Sequence, residues 1–177
     1  SANWLNLENE QRLMGKGISA CATCDGFFFS GKHVVVVGGG DSAMEEALTL
    51  AKFASKVTIV HRRDEFRASK IMQQRVKDHD KIDIVWNGTV VDVLGQDFVE
   101  GVVIEDTKSG EKRDFACEGL FVAIGHTPAT KLFVDVLNLD DKGYIKTQPT
   151  TATEIAGVFA AGDVADDYYK QAITSAG

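Results

Sequence analysis

Cysteine is scarce in this chain: there are three in 177 residues, too few for a disulfide-stapled secreted scaffold. An odd count fits a reducing compartment, and the cytoplasm is the expected location. Long apolar runs are missing too. No stretch approaches the roughly 18 uninterrupted apolar residues that a membrane span needs. The opening Ser1-Ala-Asn-Trp-Leu lacks both an initiator Met and the charged-then-apolar layout of a signal peptide, which fits a processed or cut end. Positive charge is in deficit. The formal charge of −7 argues against nucleic acid and anionic membrane as partners, since both would repel such a surface. The two prolines, Pro128 and Pro149, both fall late, and no internal repeat or low-complexity tract is present. What remains is 44% apolar and 25% charged, an ordinary globular balance with length enough for one well-filled core or one domain and part of another.

The acidity is uneven. Between His61 and Lys77 six cations (Arg62, Arg63, Arg67, Lys70, Arg75, Lys77) face two anions, Asp64 and Glu65. A basic island in an acidic chain suits a phosphate-bearing ligand, although charge alone favours a solvated helix face.

Residues 32–37 are a short, continuously apolar run ending in glycines, the pattern of a buried parallel strand. From Asp41 to Phe53 apolar positions recur at helical spacing, and Val57–Val60 reads as a second buried strand. The spacing predicts a second helix from Ser69, a candidate N-cap, to about Lys77, then a third strand over Ile82–Trp86. From Gly88 the pattern alternates. Three antiparallel strands are expected at Thr89–Gly95, Phe98–Asp106 and Lys112–Cys117, and then a buried strand at Leu120–Ile124 stopped by Gly125. A strand over residues 157–163 and a terminal helix from about Asp167 complete the expectation. The fold class is therefore α/β: a Rossmann-like, three-layer nucleotide-binding domain with a parallel sheet, helices and an antiparallel β-meander. The last third does not read as self-contained, and the boundary falls near Gly125–Pro128.

Gly38-x-Gly40-x-x-Ala43 follows a strand and opens a helix, the context a dinucleotide fingerprint requires. Gly38 allows a tight turn, Gly40 a close approach of backbone to pyrophosphate, and Ala43 close helix–strand packing. The helix N-terminus favours the ligand's charge. An NAD site usually carries an acidic residue at the end of the second strand. Here that strand runs into His61-Arg62-Arg63 with Arg67 close behind, and arginine forks suit a phosphate, so NADPH is favoured over NADH.

Cys21 and Cys24 form a Cys-x-x-Cys pair just ahead of the first strand. Such a pair can close a small ring or display a thiolate. It is also half of a zinc ribbon, but the third cysteine, Cys117, lies in a strand and reads as a small buried hydrophobe, so no metal is expected. Asp25 reads either as a proton donor to a thiolate or as a turn residue before Gly26. Hydride passes from a nicotinamide to a disulfide only through a two-electron carrier that also reacts with sulfur, a role flavin fills. This chain has no second glycine fingerprint for a flavin.

Cys-Ala-Thr-Cys-Asp-Gly-Phe-Phe (21–28), Val-Gly-Gly-Gly-Asp-Ser-Ala (37–43) and His-Arg-Arg-Asp-Glu-Phe-Arg-Ala-Ser (61–69) together resemble the low-molecular-weight bacterial thioredoxin reductases. So do Ala-Ile-Gly-His-Thr-Pro (123–128) and Ala-Gly-Asp-Val (161–164), and the likeness covers essentially the whole chain in order. The resemblance implies an NADPH-binding domain carrying the redox pair over residues 1–127. Residues 128–177 would be part of the C-terminal segment of an FAD domain whose N-terminal half is absent here. It implies electron flow from NADPH to FAD to Cys21–Cys24 to thioredoxin, in a homodimer. Carried over residue by residue, Cys21 and Cys24 are the redox pair, with Cys24 nearer the flavin, and Asp25 is the acid. Gly38, Gly40, Asp41 and Ser42 form the pyrophosphate loop; His61, Arg62, Arg63 and Arg67 form the phosphate clamp; Gly125 joins the cofactor-binding set. Asp163, Gln171 and Ala172 are flavin-contacting positions, and Lys170 stands where arginine is usual. The flavoprotein subunit of an alkyl hydroperoxide reductase is a second reading, expected to prefer NADH and a different Cys-x-x-Cys interior. A third is that the chain taken alone is a nucleotide-binding module without turnover.

Overall fold

The computed structural model describes residues 1–169 and 172–176. These divide into two compact units, one of residues 2–125 and one of residue 1 with 126–177.

The larger unit opens with α1 (Glu8–Leu13), β1 (Ile18–Ser19) and a four-residue helix, α2 (Ala22–Asp25). Next come β2 (His33–Val37), α3 (Asp41–Leu50), β3 (Lys56–His61), α4 (Lys70–Lys77) and β4 (Ile82–Trp86). The meander β5 (Gly88–Leu94), β6 (Gly101–Asp106) and β7 (Lys112–Ala116) precedes β8 (Gly119–Val122). Strands β1, β8, β2, β3 and β4 lie side by side in that order, every pairing parallel, while β5–β6–β7 form a separate antiparallel sheet.

The valine run of β2 explains the layering. Successive side chains of a strand point to opposite faces, so Val34 and Val36 pack with Val57, Ile59 and Phe121 under the helices, against Ala43, Met44, Ala47 and Leu50. Val35 and Val37 point the other way with Val60, Leu120 and Val122, onto Val90, Val93, Val102 and Ile104 of the antiparallel sheet. A strand buried on both faces needs no polar alternation. Helices, parallel sheet and meander thus stack as three layers around β2.

The structure departs from the sequence pattern at three places. Strand β6 begins at Gly101 rather than Phe98, because Val99 donates its N–H to the Lys16 carbonyl (3.0 Å) instead of joining the ladder. The strand expected over residues 157–163 is not formed: Phe159 makes an isolated antiparallel bridge to Ala152, Ala160 N–H bonds Thr151 (2.9 Å), and 162–164 is a 3₁₀ turn. That segment folds back on 151–153, which supplies one bridge and no ladder. Residues 167 and 168 are bends and 169 is irregular, and α5 is described over Ala172–Ala176. In the smaller unit Leu137, Ile145 and Ala160 form a modest core. Among the described residues no helix is long and apolar enough to cross a membrane.

Candidate functional site

Parallel strands fix where chemistry can collect. In an open α/β sheet ligands bind beyond the carboxyl ends of the strands, where the connections diverge to opposite sides. Here β1 runs into the Cys-x-x-Cys turn, β2 into Gly38–Gly40, β3 into the arginine loop and β8 into Ala123–Gly125, so all four segments leave one edge of the sheet.

The glycine and arginine loops form a cleft of about 440 Å³, with Gly38, Gly40, Ser42, Arg62, Arg67 and Gly125 in its lining. The three glycines do different work. A Cβ on Gly38 would overlap the Ala123 carbonyl and the Ala43 methyl, so the glycine lets α3 close on the sheet. A Cβ on Gly39 would fall within the His61 ring, whereas one on Gly40 would meet open space. Gly40 is therefore where the loop backbone lies open to the cleft.

The arginine loop is tied to the glycine loop at several points. The Gly39 carbonyl accepts the N–H groups of Arg67 (2.8 Å) and Ala68 (3.1 Å). The Asp41 carboxylate accepts from Ser69 N–H (2.9 Å) and Ser69 Oγ (2.8 Å), bonds that hold it below the ordinary carboxylate range. Ser69 occupies the N-cap position of α4, but its hydroxyl serves Asp41 rather than the helix. Arg62, Arg63 and Arg67 are exposed, and Arg62 and Arg67 line the cleft. His61 is buried. Its Nε2 lies 2.9 Å from the Glu65 carbonyl, its ring packs against Phe66 and Trp86, and burial holds its pKa below the usual value. The imidazole is thus a wall behind Gly39.

Cys21 and Cys24 are joined as a disulfide with their Cα atoms 5.3 Å apart, Cys24 being exposed and Cys21 half-buried. The turn is held by its neighbours: Cys21 N–H donates to Ser19 Oγ (3.1 Å), and Ser19 Oγ donates to Asp25 Oδ2 (2.6 Å). Asp25, Ser19 and Phe28 border a second hollow of about 610 Å³. Phe27 and Phe28 beside the pair are each 70% exposed. Cys117 is buried, with its thiol pushed up to about 12 by desolvation, and is chemically quiet.

In the smaller unit Asp163 is exposed on the 3₁₀ turn Gly162–Val164. Lys170 and Gln171 lie outside the described residues, and Ala172 begins α5, its side chain likewise outside them.

Three contributors escape the motif reading. Gly39 is signalled only by the uninterrupted glycine triplet. Ser19 sits two residues ahead of Cys21, with no spacing rule to mark it. Glu46 accepts the N–H of Ala22 from α3; the sign for it is a carboxylate bordering the apolar stripe Ala43, Met44, Ala47 and Leu50.

The family model for pyridine nucleotide-disulphide oxidoreductases matches residues 1–177. A thioredoxin reductase from Streptomyces clavuligerus is 55% identical over 174 residues, 98% of this chain and 54% of that protein. A bifunctional thioredoxin reductase/thioredoxin from Mycobacterium leprae is 53% identical over 178 residues, covering 100% of this chain and 39% of its own. The crystal structure of a thioredoxin reductase from Streptococcus pyogenes superposes with a TM-score of 0.91 at 42% identity, over 99% of this chain and 57% of that one. The chain thus spans about half the length of the curated relatives it matches.

Proposed function

This chain belongs to the pyridine nucleotide-disulphide oxidoreductase family, and from that premise we propose that it carries the nucleotide-binding and dithiol parts of an NADPH-dependent thioredoxin-disulfide reductase. The observation that carries this reading is the closed Cys21–Cys24 pair opening off the same sheet edge as a glycine-floored, arginine-rimmed cleft.

The cleft suits NADPH. Open space over Gly40 admits a pyrophosphate to the N-terminus of α3, and the exposed Arg62, Arg63 and Arg67 offer planar forks to a 2′-phosphate. His61 backs Gly39 with its ring, and Gly125 closes the β8 side. No carboxylate comes from the end of β3, the usual partner of an unphosphorylated ribose. The arginines and the Ala22-Thr23 interior both favour this reading over a hydroperoxide reductase subunit.

When bound, NADPH supplies a hydride and a flavin supplies the two-electron relay to sulfur. The chain's own part begins at the disulfide. Two electrons and two protons convert Cys21–Cys24 to a pair of thiols, with Asp25, oriented by Ser19, stationed to move a proton at sulfur. One thiolate then attacks the disulfide of thioredoxin, a mixed disulfide forms, and the second sulfur displaces reduced thioredoxin while the pair closes again. The exposed Phe27 and Phe28 give a protein substrate an apolar landing beside the sulfurs.

We read residues 1–127 as the nucleotide-and-dithiol domain and 128–177 as part of the C-terminal segment of a flavin domain, with Asp163, Gln171 and Ala172 toward the flavin. The compactness of residues 2–125 supports that division. A homodimer is what the family resemblance implies, the scarce and odd-numbered cysteines suit the cytoplasm, and the −7 charge favours a protein partner over nucleic acid or membrane.

The test is exchange without cofactors. The chain, reduced and freed of reductant, is mixed with oxidised thioredoxin. One thioredoxin reduced per Cys21–Cys24 pair closed supports the proposal. A reduced chain that leaves thioredoxin oxidised while reducing a small-molecule disulfide refutes it.

A further inference from the structure

Helix α3 does two things for this fold. Its N-terminus carries the glycine loop, and farther along it Glu46 reaches the dithiol turn, where its carboxylate accepts the backbone N–H of Ala22. Ala22 is 1% exposed, so this donor has no ready replacement in water. Three other amides of the turn are held close to home: Cys21 N–H by Ser19, Cys24 N–H by Cys21 Sγ (3.2 Å) and Asp25 N–H by the Cys21 carbonyl (3.0 Å). The bond from Ala22 to Glu46 ties the interior of the Cys-x-x-Cys turn to the neighbouring helix by a directional contact, beside the apolar core that Ala22 shares with that helix.

Glu46 is an expensive residue at this position. It is half-buried beside an apolar stripe, and burial raises its carboxyl above the ordinary range while the Ala22 N–H pulls the other way and Glu45 adds to the rise. A glutamate kept there for packing alone would be better replaced by a hydrophobe. Among the described residues its carboxylate bonds the turn that closes the disulfide.

We propose that Glu46 is a positioning residue for the dithiol: by holding the Ala22 amide it keeps the turn in its disulfide-closed geometry and so makes the reduced pair a stronger reductant. The inference rests on Cys21–Cys24 being the working redox couple. Reduction takes two electrons and two protons and lets the sulfurs part, which loosens the turn that Glu46 holds. A contact favouring the closed form lowers the potential of the couple.

The test is the equilibrium of the folded chain with mixtures of reduced and oxidised dithiothreitol, quenched by alkylation in denaturant. The oxidised chain presents one thiol, Cys117, and the reduced chain all three cysteines. Glu46→Ala removes the acceptor, and Glu46→Asp keeps the charge but falls short by a methylene. Both should shift the equilibrium toward the dithiol by about tenfold, or about 30 mV. Glu46→Gln retains an oxygen for the Ala22 N–H and should stay with the unsubstituted chain. If Glu46→Ala does not fold, Asp against Gln carries the same contrast. Variants that all keep the original potential overturn the inference alone, as does a Gln variant that shifts as far as Asp. An unsubstituted pair that stays closed at every ratio refutes the redox reading, and this inference with it.

Discussion

Gly39→Ala is the sharpest probe of how the nucleotide loop is built. The methyl would fall within the imidazole of His61, a ring fixed by the Glu65 carbonyl at 2.9 Å and packed on Phe66 and Trp86. The Gly39 backbone is not in the left-handed region, so the cost is steric and local. Forcing a methyl into a filled site costs about 1–3 kcal/mol. At about 2–4 °C per kcal/mol for a chain of this size, the melting temperature should fall by about 2–12 °C. A double-mutant cycle isolates the cause. His61→Ala removes the ring and is destabilising by itself, but on that background Gly39→Ala should add almost nothing, giving a coupling of about 1–3 kcal/mol. Thermal unfolding followed by circular dichroism reads all four proteins. Strictly additive effects would refute the contact between His61 and the glycine loop, and with it the role of His61 as the wall behind Gly39.

Three further outcomes are expected. Cys117, with its thiol raised to about 12, should resist iodoacetamide in the folded oxidised chain and react once the chain is unfolded; rapid labelling of the folded chain would contradict its burial. His33 and His61 both titrate below 6.5 for reason of burial, so the unfolded chain takes up protons first as pH falls. Their contribution is present above that pH and is lost as pH drops through it toward the folded values; melting temperatures measured from about pH 7.5 to about pH 5.5 should decline, and His61→Gln should flatten the decline. Ser19→Ala removes the donor to Asp25 and the acceptor for Cys21 N–H, and should slow disulfide exchange by about tenfold while leaving nucleotide affinity unchanged; stopped-flow exchange and a nucleotide titration separate the two.

Much of the architecture is legible in the residues because β-branched runs and glycines act locally. The valines of β2 announce a strand buried on both faces, and the glycine triplet followed by a helical stripe announces the βαβ unit. The alternation after Gly88 likewise gives the meander within a few residues at each end. Side-chain roles are less legible, because they depend on what lies across the loop. His61 sits in a run of cations and reads as one of them; its burial against Gly39 emerges only when β2 and β3 pair in register, Val37 beside Val60. Asp41 reads as part of a phosphate loop and Ser69 as a helix cap, yet they bond each other across 28 positions of sequence. The apolar segment at 157–160 has strand composition but bonds back onto residues 151–155 through a single bridge, so propensity yields to the absence of a ladder.

The arginine-edged cleft is proposed to hold a phosphorylated nicotinamide dinucleotide. Titration of the chain with NADPH and with NADH, read by calorimetry, tests it directly. NADPH should bind at least about tenfold more tightly, and Arg62→Ala with Arg67→Ala together should erase that preference while leaving NADH affinity nearly unchanged. Equal affinity for the two nucleotides, or a preference for NADPH that survives the loss of both arginines, would contradict it.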